Sequence, residues 1–575
     1  MSCCEGFEKI DNLLENRWFR YLSLLALALV LLLPGTSTLP LMDRDEPRFA
    51  QATQEMMDTE QWIVPYFNGD YRFDKPPLTY WWMRVHYWVF GKTELGARLH
   101  SVFAAALAAM VICRLGTFFF STRAGWLSGV GFLTCLQVVI HGRICVADMP
   151  MILAVIATMD ASCRLLLPRD GVSSPKRFGP LFWYLTSALA VGFLAKGPIA
   201  WAVPILAWAL FRWPIGKRPL PWRNLQLVSA FGIALLVVAA WGIPALISTK
   251  GEFWSVGIGE HVVDRGLKPL NSRPVIPGVY YLGTVLLSLL PWTAFTFAPV
   301  FGGESPRTDP KRAILLAWYI APFLIFSFYA TQLPHYILPG FAGLFLLLFR
   351  SGGLPSMDTP GQKRWFWGVT GFFGVVFGIA LIGLLVMRSR IPAPLDNMIP
   401  VFGFALGVIT LFSVLMPLAI YLRKGWMALP VLAIGVLICG VGLARSIRER
   451  SMVVDMKEAI SEAGAMEGAS YMSYRFGEPS QIFYLDSEEK WKFAADIPPV
   501  KRWMANHEEN GIAVFRTKVW RMDGLLTGES KAEYDDTAKV KRIVDPAKYE
   551  TRTIQGFNAA RTTWEEVIVA IPKKG

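Results

Sequence analysis

Charged residues in the segment 43–91 stand among apolar and aromatic neighbours, where a surface loop has no physical need for them. Asp45 and Arg48 begin one amphipathic stretch, and Asp74 and Lys75 precede two prolines. A carboxylate of this kind can accept a proton from an attacking group, and a cation can stabilise negative charge that develops on a phosphate. Interfacial anchoring and helix capping are the alternative explanation for each residue taken alone.

Three further polar groups lie between apolar runs later in the chain. Asp148 follows Arg143 after one apolar run, and it could simply pair with that arginine. Lys196 separates two apolar runs, so it could bind phosphate as a point charge or extend its amine to the membrane surface. His261 and Arg265 lie in a polar segment and are further candidates for contacting an anion.

The elements around the first cluster can be predicted from residue spacing. Glu46–Asp58 begins with Pro47, which suits the first turn of a helix. Its apolar side chains fall on one side, as in a helix that lies on a membrane surface: Phe49, Thr53, Met56 and Met57. Residues 78–90 are dense in Tyr and Trp, which is typical of a chain held at the interface. Asp74 to Pro77 form a stiff turn between the two segments.

Composition places these elements in a membrane protein. The chain has 575 residues, of which 53% are hydrophobic and only 18% are charged. Soluble proteins carry about 25% charged residues. Apolar runs approaching 20 residues recur between Leu22 and Leu443, and a helix of about that length crosses the bilayer core. The net charge of +13 lies mainly in short loops between these runs, which indicates membrane topology and not a nucleic-acid partner.

About thirteen transmembrane helices are predicted from the runs. They lie near residues 18–36, 97–119, 125–141, 149–166, 180–195, 198–213, 226–247, 276–299, 313–330, 335–349, 365–387, 398–421 and 426–444. Lys9, Arg17 and Arg20 precede the first span, which predicts a cytoplasmic N-terminus. Alternation then assigns the basic loops between spans to the cytoplasm, in agreement with that orientation.

The same alternation predicts the domain organisation. Residues 1–16 form a cytoplasmic tail, residues 17–444 a membrane domain with a first external loop at 37–96, and residues 445–575 a small periplasmic α/β domain. In the last domain a helix is predicted at Met452–Ala463. Strands are predicted at Gln481–Leu485, Gly511–Arg516 and Val567–Ile571. A site formed by the charged loops would face the periplasm, where no nucleotide pool exists.

Several motifs, in this order, resemble the bacterial aminoarabinose transferase and protein O-mannosyltransferase group of the C superfamily of glycosyltransferases (GT-C). Asp-Glu-x-Arg at 45–48 and Asp-Lys-Pro at 74–76 match its first external loop. The match continues with the acidic Asp148, with Lys-Gly at 196–197, and with Leu-Pro-x-Tyr-x-Leu-Pro at 333–339. It extends over about residues 40–345. Each motif is weak alone, and their order is specific.

The resemblance implies a GT-C fold and transfer of a sugar from a polyprenyl-phosphate carrier at the external face of a bacterial inner membrane. The sugar would be a hexose or a pentose, and the acceptor lipid A, a glycan or a protein; the other expected partners are membrane lipids. Asp45 matches the family aspartate taken as the catalytic base, with Asp148 as a second catalytic carboxylate. The expected ligands of the donor phosphate are Arg48, Lys75, Lys196, His261 and Arg265. The residues expected to position the acceptor or the loop are Asp74, Gln332, His335 and Tyr336.

Two departures from the family pattern concern the acceptor. Gln332 stands where members often have Lys, and Asn271 to Arg273 occupy a stretch where many have His. No cofactor is required for the reaction. In some relatives the acidic residue at the position of Asp74 helps to hold a metal, but Asp74, His261 and His335 have no recognisable ligand spacing.

Two other functions remain as alternatives. A lipid-linked glycan transporter or flippase would place charges in mid-membrane and show internal repeats. A polytopic glycan polymerase or ligase would also have an external site, but proteins of that class lack the motif-bearing loop that follows the first span here. The clustering of charges at one face favours the transferase.

Overall fold

The computed structural model describes residues 11–573, except 169–175, 221–225, 265–278, 303, 356, 389–392, 423–424, 522–531, 559–560 and 562. Its first part is helical. The α-helices before residue 302 are α1 Arg17–Leu32, α2 Asp45–Asp58, α3 Leu78–Phe90, α4 Glu94–Phe119, α5 Thr122–Leu133, α6 Leu136–His141, α7 Asp148–Leu166, α8 Pro180–Lys196, α9 Ile199–Arg212, α10 Leu227–Ser248, α11 Val279–Ser288 and α12 Phe297–Phe301.

The remaining α-helices alternate with shorter helical turns. They are α13 Pro310–Ser327, α14 Phe341–Leu348, α15 Pro360–Met387, α16 Ile399–Thr410, α17 Met416–Tyr421, α18 Gly425–Gly435, α19 Val441–Arg448, α20 Met452–Glu462, α21 Pro479–Tyr484, α22 Ile497–Asn506 and α23 Thr537–Ile543. Turns of 3₁₀-helix occupy Trp292–Phe295, Pro334–Gly340 and Leu395–Met398, and π-helix occupies Phe253–Asp264, Leu411–Leu415 and Val436–Gly440.

Six helical segments among the described residues are long and apolar enough to cross a membrane, as expected of an integral membrane protein. They are Glu94–Phe119, Asp148–Leu166, Leu227–Ser248, Pro360–Val386, Leu395–Tyr421 and Ala428–Arg448. Shorter apolar helices, among them α8 and α9, pack between them. A long apolar helix satisfies its own backbone hydrogen bonds, which is the requirement that lipid imposes.

Some predicted spans are interrupted in the structure. The run predicted near 125–141 divides into α5 and α6 at Cys135, whose backbone is extended with ψ of 130°. The run near 276–299 gives α11, a 3₁₀ turn and α12, because Pro291 lacks the amide hydrogen that a continuous helix needs. Proline therefore divides the second of these runs into short helical segments.

Residues 37–96 contain two helices, α2 and α3, in the segments where interfacial helices were predicted. α2 begins at Asp45, one residue before the predicted start, and buries Phe49, Thr53 and Met56. A short hairpin, β1 Tyr66–Phe67 with β2 Asp70–Tyr71, connects it to α3. α3 ends at Gly91, whose φ of 69° suits glycine.

The C-terminal region contains a five-stranded mixed sheet with strand order β4-β3-β5-β7-β6. Its strands are β3 Ser470–Tyr474, β4 Lys492–Ala494, β5 Gly511–Arg521, β6 Tyr549–Asn558 and β7 Thr563–Pro572. β3 is parallel to β4 and to β5, pairing Ser470 with Gly511, whereas β7 is antiparallel to β5 and β6. The predicted helix at 452 and the strands at 511 and 567 are confirmed.

The strand predicted at Gln481–Leu485 is wrong, because this segment lies in and just after α21. Pro479 occupies the first turn of that helix, where its fixed φ favours helical backbone. α21 packs against α2, and Ile482 shares a buried cluster with Phe49 and Met56. The C-terminal sheet is thereby attached to the loop that carries the motif residues.

Candidate active site

A cavity of about 450 Å³ opens where α7, α8 and α10 meet the segment Phe73 to Pro76. Its wall is mainly apolar and includes Phe193, Leu235, Val238, Trp241 and Trp254. Six charged or titratable residues of the motifs also line it, namely Asp74, Lys75, Asp148, Lys196, His335 and Tyr336. A cavity with an apolar wall and clustered polar groups suits a ligand that has a charged head and an apolar chain.

Asp148 and Lys196 form an ion pair at this wall. Lys196 Nζ lies 2.5 Å from Asp148 Oδ1, and both side chains are largely buried. Asp148 is the first residue of α7 and Lys196 the last of α8, so each charge stands at the helix end that favours its sign. The pairing that sequence left open for Asp148, with Arg143, does not occur. Arg143 donates instead to the carbonyl oxygen of Pro34.

The 3₁₀ turn of the Leu-Pro motif completes this group. His335 Nε2 lies 3.4 Å from Asp148 Oδ1, and the Lys196 amine lies 5.6 Å from the centre of the Tyr336 ring. His141 stacks near His335 with 4.4 Å between ring centres. Predicted residues from two separate motifs, Lys196 on one side and His335 with Tyr336 on the other, thus surround the Asp148 carboxylate.

A second charged group reaches the cavity through Asp74 and Lys75. Asp74 Oδ1 accepts from Lys75 Nζ at 3.0 Å, and Asp74 Oδ2 accepts from Arg72 Nη2 at 3.1 Å. Arg72 Nε also donates to the hydroxyl of Tyr80 at 3.1 Å, and burial raises the pKa of Tyr80 to about 12. The phenol therefore stays protonated and holds Arg72 against Asp74.

Asp45 and Arg48 are close to this group but are not among the residues that line the cavity. Asp45 is exposed at the first turn of α2. Burial and the nearby Arg72 lower the pKa of Arg48, and the carboxylates of Asp45 and Asp74 offset part of this effect. The four charges are therefore near enough to interact, with Asp45 at the solvent side.

The remaining predicted residues are placed differently. Gln332 donates from Nε2 to the carbonyl oxygen of Ser327 at 3.1 Å, and its buried Oε1 has no hydrogen-bond partner. His261 falls within the π-helix Phe253–Asp264, and its side chain lies outside the described residues. Arg265 and the segment from Asn271 to Arg273 also lie outside them.

Glu46 is a residue of the site that motif analysis did not single out. Its carboxylate accepts from Arg98 Nε and Nη2 at 2.9 and 2.8 Å, and both side chains are buried. It also accepts from the amides of Met42 and Cys145, at 2.8 and 2.7 Å. Glu46 therefore links the segment before α2 to the loop before α7. The motif pointed to the adjacent Asp45 as the acidic residue. Arg98 gave no signal because it lies within a predicted apolar run.

The arrangement can bind and stabilise an anion. Lys75 and Lys196 present two cations to one cavity, each held by a carboxylate. Ammonium groups so placed stabilise negative charge that develops on a leaving phosphate, and burial strengthens the effect. Among the described residues, no group of three His, Cys, Asp or Glu side chains could hold a metal ion.

Comparison with known proteins gives a family model and several curated relatives. The family model of dolichyl-phosphate-mannose-protein mannosyltransferases matches residues 74–242. An undecaprenyl phosphate-alpha-4-amino-4-deoxy-L-arabinose arabinosyl transferase of Enterobacter sp. (strain 638) is 30% identical over 387 residues, 65% of this chain and 66% of the relative. The enzyme of that name from Yersinia pestis (strain Pestoides F) is 30% identical over 373 residues, 64% of each chain. The chain thus spans just under two thirds of the length of the curated relatives it matches.

Solved structures extend the likeness to the whole fold. The crystal structure of ArnT from Cupriavidus metallidurans bound to undecaprenyl phosphate has a TM-score of 0.70, with 19% identity, and the match covers 96% of this chain and 97% of that one. The apo form of the same protein has a TM-score of 0.69. The resemblance predicted from the motifs is confirmed: this membrane protein has the fold of ArnT and resembles the aminoarabinose transferase and protein O-mannosyltransferase group of GT-C glycosyltransferases.

Proposed function

We propose that the chain transfers a sugar from a polyprenyl-phosphate carrier to an acceptor on the external face of the membrane. The observation that carries the proposal is the cavity in which Lys75 and Lys196 meet an apolar wall. The two cations suit the phosphate of the donor, and the aromatic and aliphatic wall suits its prenyl chain. The names of the curated relatives favour a pentosyl donor over a hexosyl donor.

In the proposed reaction, the acceptor attacks the anomeric carbon and the polyprenyl phosphate leaves. Lys75 and Lys196 stabilise the phosphate as the bond to the sugar breaks, and Arg48 adds positive charge nearby. Asp45 lies at the solvent side, where an acceptor would enter, and takes the proton when the acceptor is a hydroxyl of a glycan or protein. When the acceptor is a phosphate, as on lipid A, no base is needed and Asp45 orients the acceptor.

Asp148 has a different proposed role, as a positioning residue. Its carboxylate is engaged by Lys196 and by His335, so it holds the lysine toward the cavity and does not accept the reaction proton. Asp74 plays the corresponding part for Lys75 and Arg72. His335 and Tyr336 position this group from the 3₁₀ turn, and His261, Arg265 and Gln332 remain candidates for contacts with donor phosphate or acceptor.

The proposed setting is the bacterial inner membrane, with about thirteen spans and a cytoplasmic N-terminus. The membrane domain comprises residues 17–444, and residues 445–575 form a periplasmic domain. Packing of α21 on α2 supports this placement, since the C-terminal region shares the face of the first external loop. A role in lipid or glycan transport remains the alternative.

The test uses purified full-length protein, an undecaprenyl-phosphate pentose donor with a labelled sugar, and lipid A as acceptor. Lys196→Met is the inactive variant, and Lys501→Met, on an exposed part of α22, is the matched control. Label appearing on the acceptor with wild type and control, but not with Lys196→Met, supports the proposal. Absence of transfer to lipid A, glycan or protein acceptors, combined with movement of the lipid across reconstituted vesicles, would favour the transporter.

A further inference from the structure

A second cavity lies at the opposite end of α13 from the candidate active site. It has a volume of about 220 Å³ and is lined by Arg312, Arg350, Ser351 and Gln362 on its polar side. Arg312 belongs to the first turn of α13, whereas Phe326, fourteen residues later, lines the candidate active site. At 1.5 Å per residue the two cavities are about 21 Å apart along this helix.

Arg312 is an incompletely partnered buried cation. Arg312 is only 5% exposed, and its Nε has no hydrogen-bond partner. Among the described residues, the Arg312 side chain makes one hydrogen bond, a long one of 3.4 Å from Nη2 to the carbonyl oxygen of Val300. A buried guanidinium in this condition is destabilising unless an anion completes its hydrogen bonds.

Arg312 lies close to a second cation. Arg350 is close enough to Arg312 to repel it. Asp309 lies beside both: its carboxylate accepts the backbone amide of Arg312 at 3.0 Å and lies 3.5 Å from Arg350 Nη1. Asp309 therefore caps α13 and interacts with Arg350, and two guanidinium groups lie together at the cavity wall.

Most of the remaining wall is apolar. It includes Phe295, Phe297, Leu348 and Leu354. Guanidinium groups bind phosphate oxygens through paired N–H donors, and an apolar wall beside them accommodates a hydrocarbon chain. A free phosphate would use only the first of these features.

We propose that this cavity, between the start of α13 and the end of α14, binds a phosphate oxyanion through Arg312 and Arg350, supplied by an anionic lipid headgroup or by free phosphate. It is separate from the site of the proposed transfer reaction and does not depend on it. The apolar wall favours the lipid. A lipid bound here would fix the start of α13, the helix whose other end reaches the candidate active site.

The test is native mass spectrometry of the full-length protein in detergent, titrated with phosphatidylglycerol or with phosphatidylcholine as the zwitterionic comparison. Arg350→Gln and Arg312→Gln are expected to weaken binding of one phosphatidylglycerol molecule about tenfold or more, the size of one charge-assisted contact. Arg307→Gln removes an exposed arginine from the preceding loop and should bind as wild type does. Arg312→Lys keeps the positive charge and serves as the additional variant in case the buried Arg312→Gln does not fold.

A parallel arm measures the rise in Tm caused by inorganic phosphate alone. A rise that both arginine variants abolish, without selective retention of phosphatidylglycerol, identifies free phosphate as the source. Selective retention of phosphatidylglycerol identifies the lipid. If Arg350→Gln and Arg312→Gln match Arg307→Gln in both arms, the cavity is not an anion site.

Discussion

The ammonium nitrogen of Lys196 lies 2.5 Å from Oδ1 of Asp148, so the end of α8 is joined to the start of α7 at the wall of the cavity. This ion pair joins two residues that are 48 positions apart in the chain. His335 contacts the same carboxylate oxygen from a third element. The lysine is therefore held in a fixed direction, which is what stabilisation of a developing charge requires.

Replacing Lys196 by Met should reduce sugar transfer by about 10²–10³-fold, because one cationic contact to the leaving phosphate is lost. The loss should fall mainly on kcat. The measurement is the initial rate with labelled donor. An equal rate for Lys196→Met and the surface variant Lys501→Met would remove Lys196 from the phosphate site.

Replacing Asp45 and Asp148 by Asn should separate their roles. Asp45→Asn should lower kcat by about 10²-fold or more with a hydroxyl acceptor, because a general base is lost, and should leave Tm unchanged because Asp45 is exposed. Asp148→Asn leaves Lys196 without its ionic partner and should lower stability by roughly 3 kcal/mol. Thermal unfolding and initial rates are measured together. A large drop in Tm for Asp45→Asn, or none for Asp148→Asn, would reverse the assignment.

Attachment of the C-terminal region should weaken as pH rises. Burial raises the pKa of Asp43 from 3.8 to about 7, although its carboxylate accepts from Ser480 Oγ and N at 2.6 and 2.9 Å. Between about pH 4 and 7 the folded protein keeps a proton that the unfolded chain releases, so the free energy of unfolding falls as pH rises through this window.

Asp43→Asn cannot titrate and should remove this part of the pH dependence. At pH 7.5 its Tm should exceed that of wild type by at least about 3 °C, and the difference should shrink toward pH 4. Asp70→Asn, at an exposed contact with Lys490 in the same interface, is the control. Parallel Tm profiles for wild type and Asp43→Asn would contradict the assignment to Asp43.

Glu46→Gln should destabilise the protein more than a surface substitution does. The change leaves the fully buried guanidinium of Arg98 without its carboxylate, at a cost of about 3–5 kcal/mol. Thermal unfolding of Glu46→Gln is compared with that of Glu60→Gln, an exposed residue just after α2. Equal Tm values for the two variants would show that the buried pair contributes little.

The sequence predicted the helical elements well because apolar length and proline position act locally. α2, α7 and α8 begin or end within a residue or two of their predicted limits. It also predicted that Lys75, Asp148, Lys196 and His335 matter together, since their motifs occur in the order seen in one protein group. The strand predicted at 481–485 was wrong because its apolar run was too short to distinguish a strand from the helix that Pro479 begins.

The sequence by itself thus determined the membrane character, the main helices and the motif residues. The tertiary structure alone decided which charges pair. Arg143 lies five positions from Asp148, yet it donates to a backbone carbonyl, while Lys196 and His335 reach the carboxylate from distant elements. The same holds for the ion pair of Glu46 with Arg98, and packing also brings the like charges of Arg312 and Arg350 together. Charges buried among packed helices must find partners in space, and that choice depends on helix packing, which no local pattern in the sequence specifies.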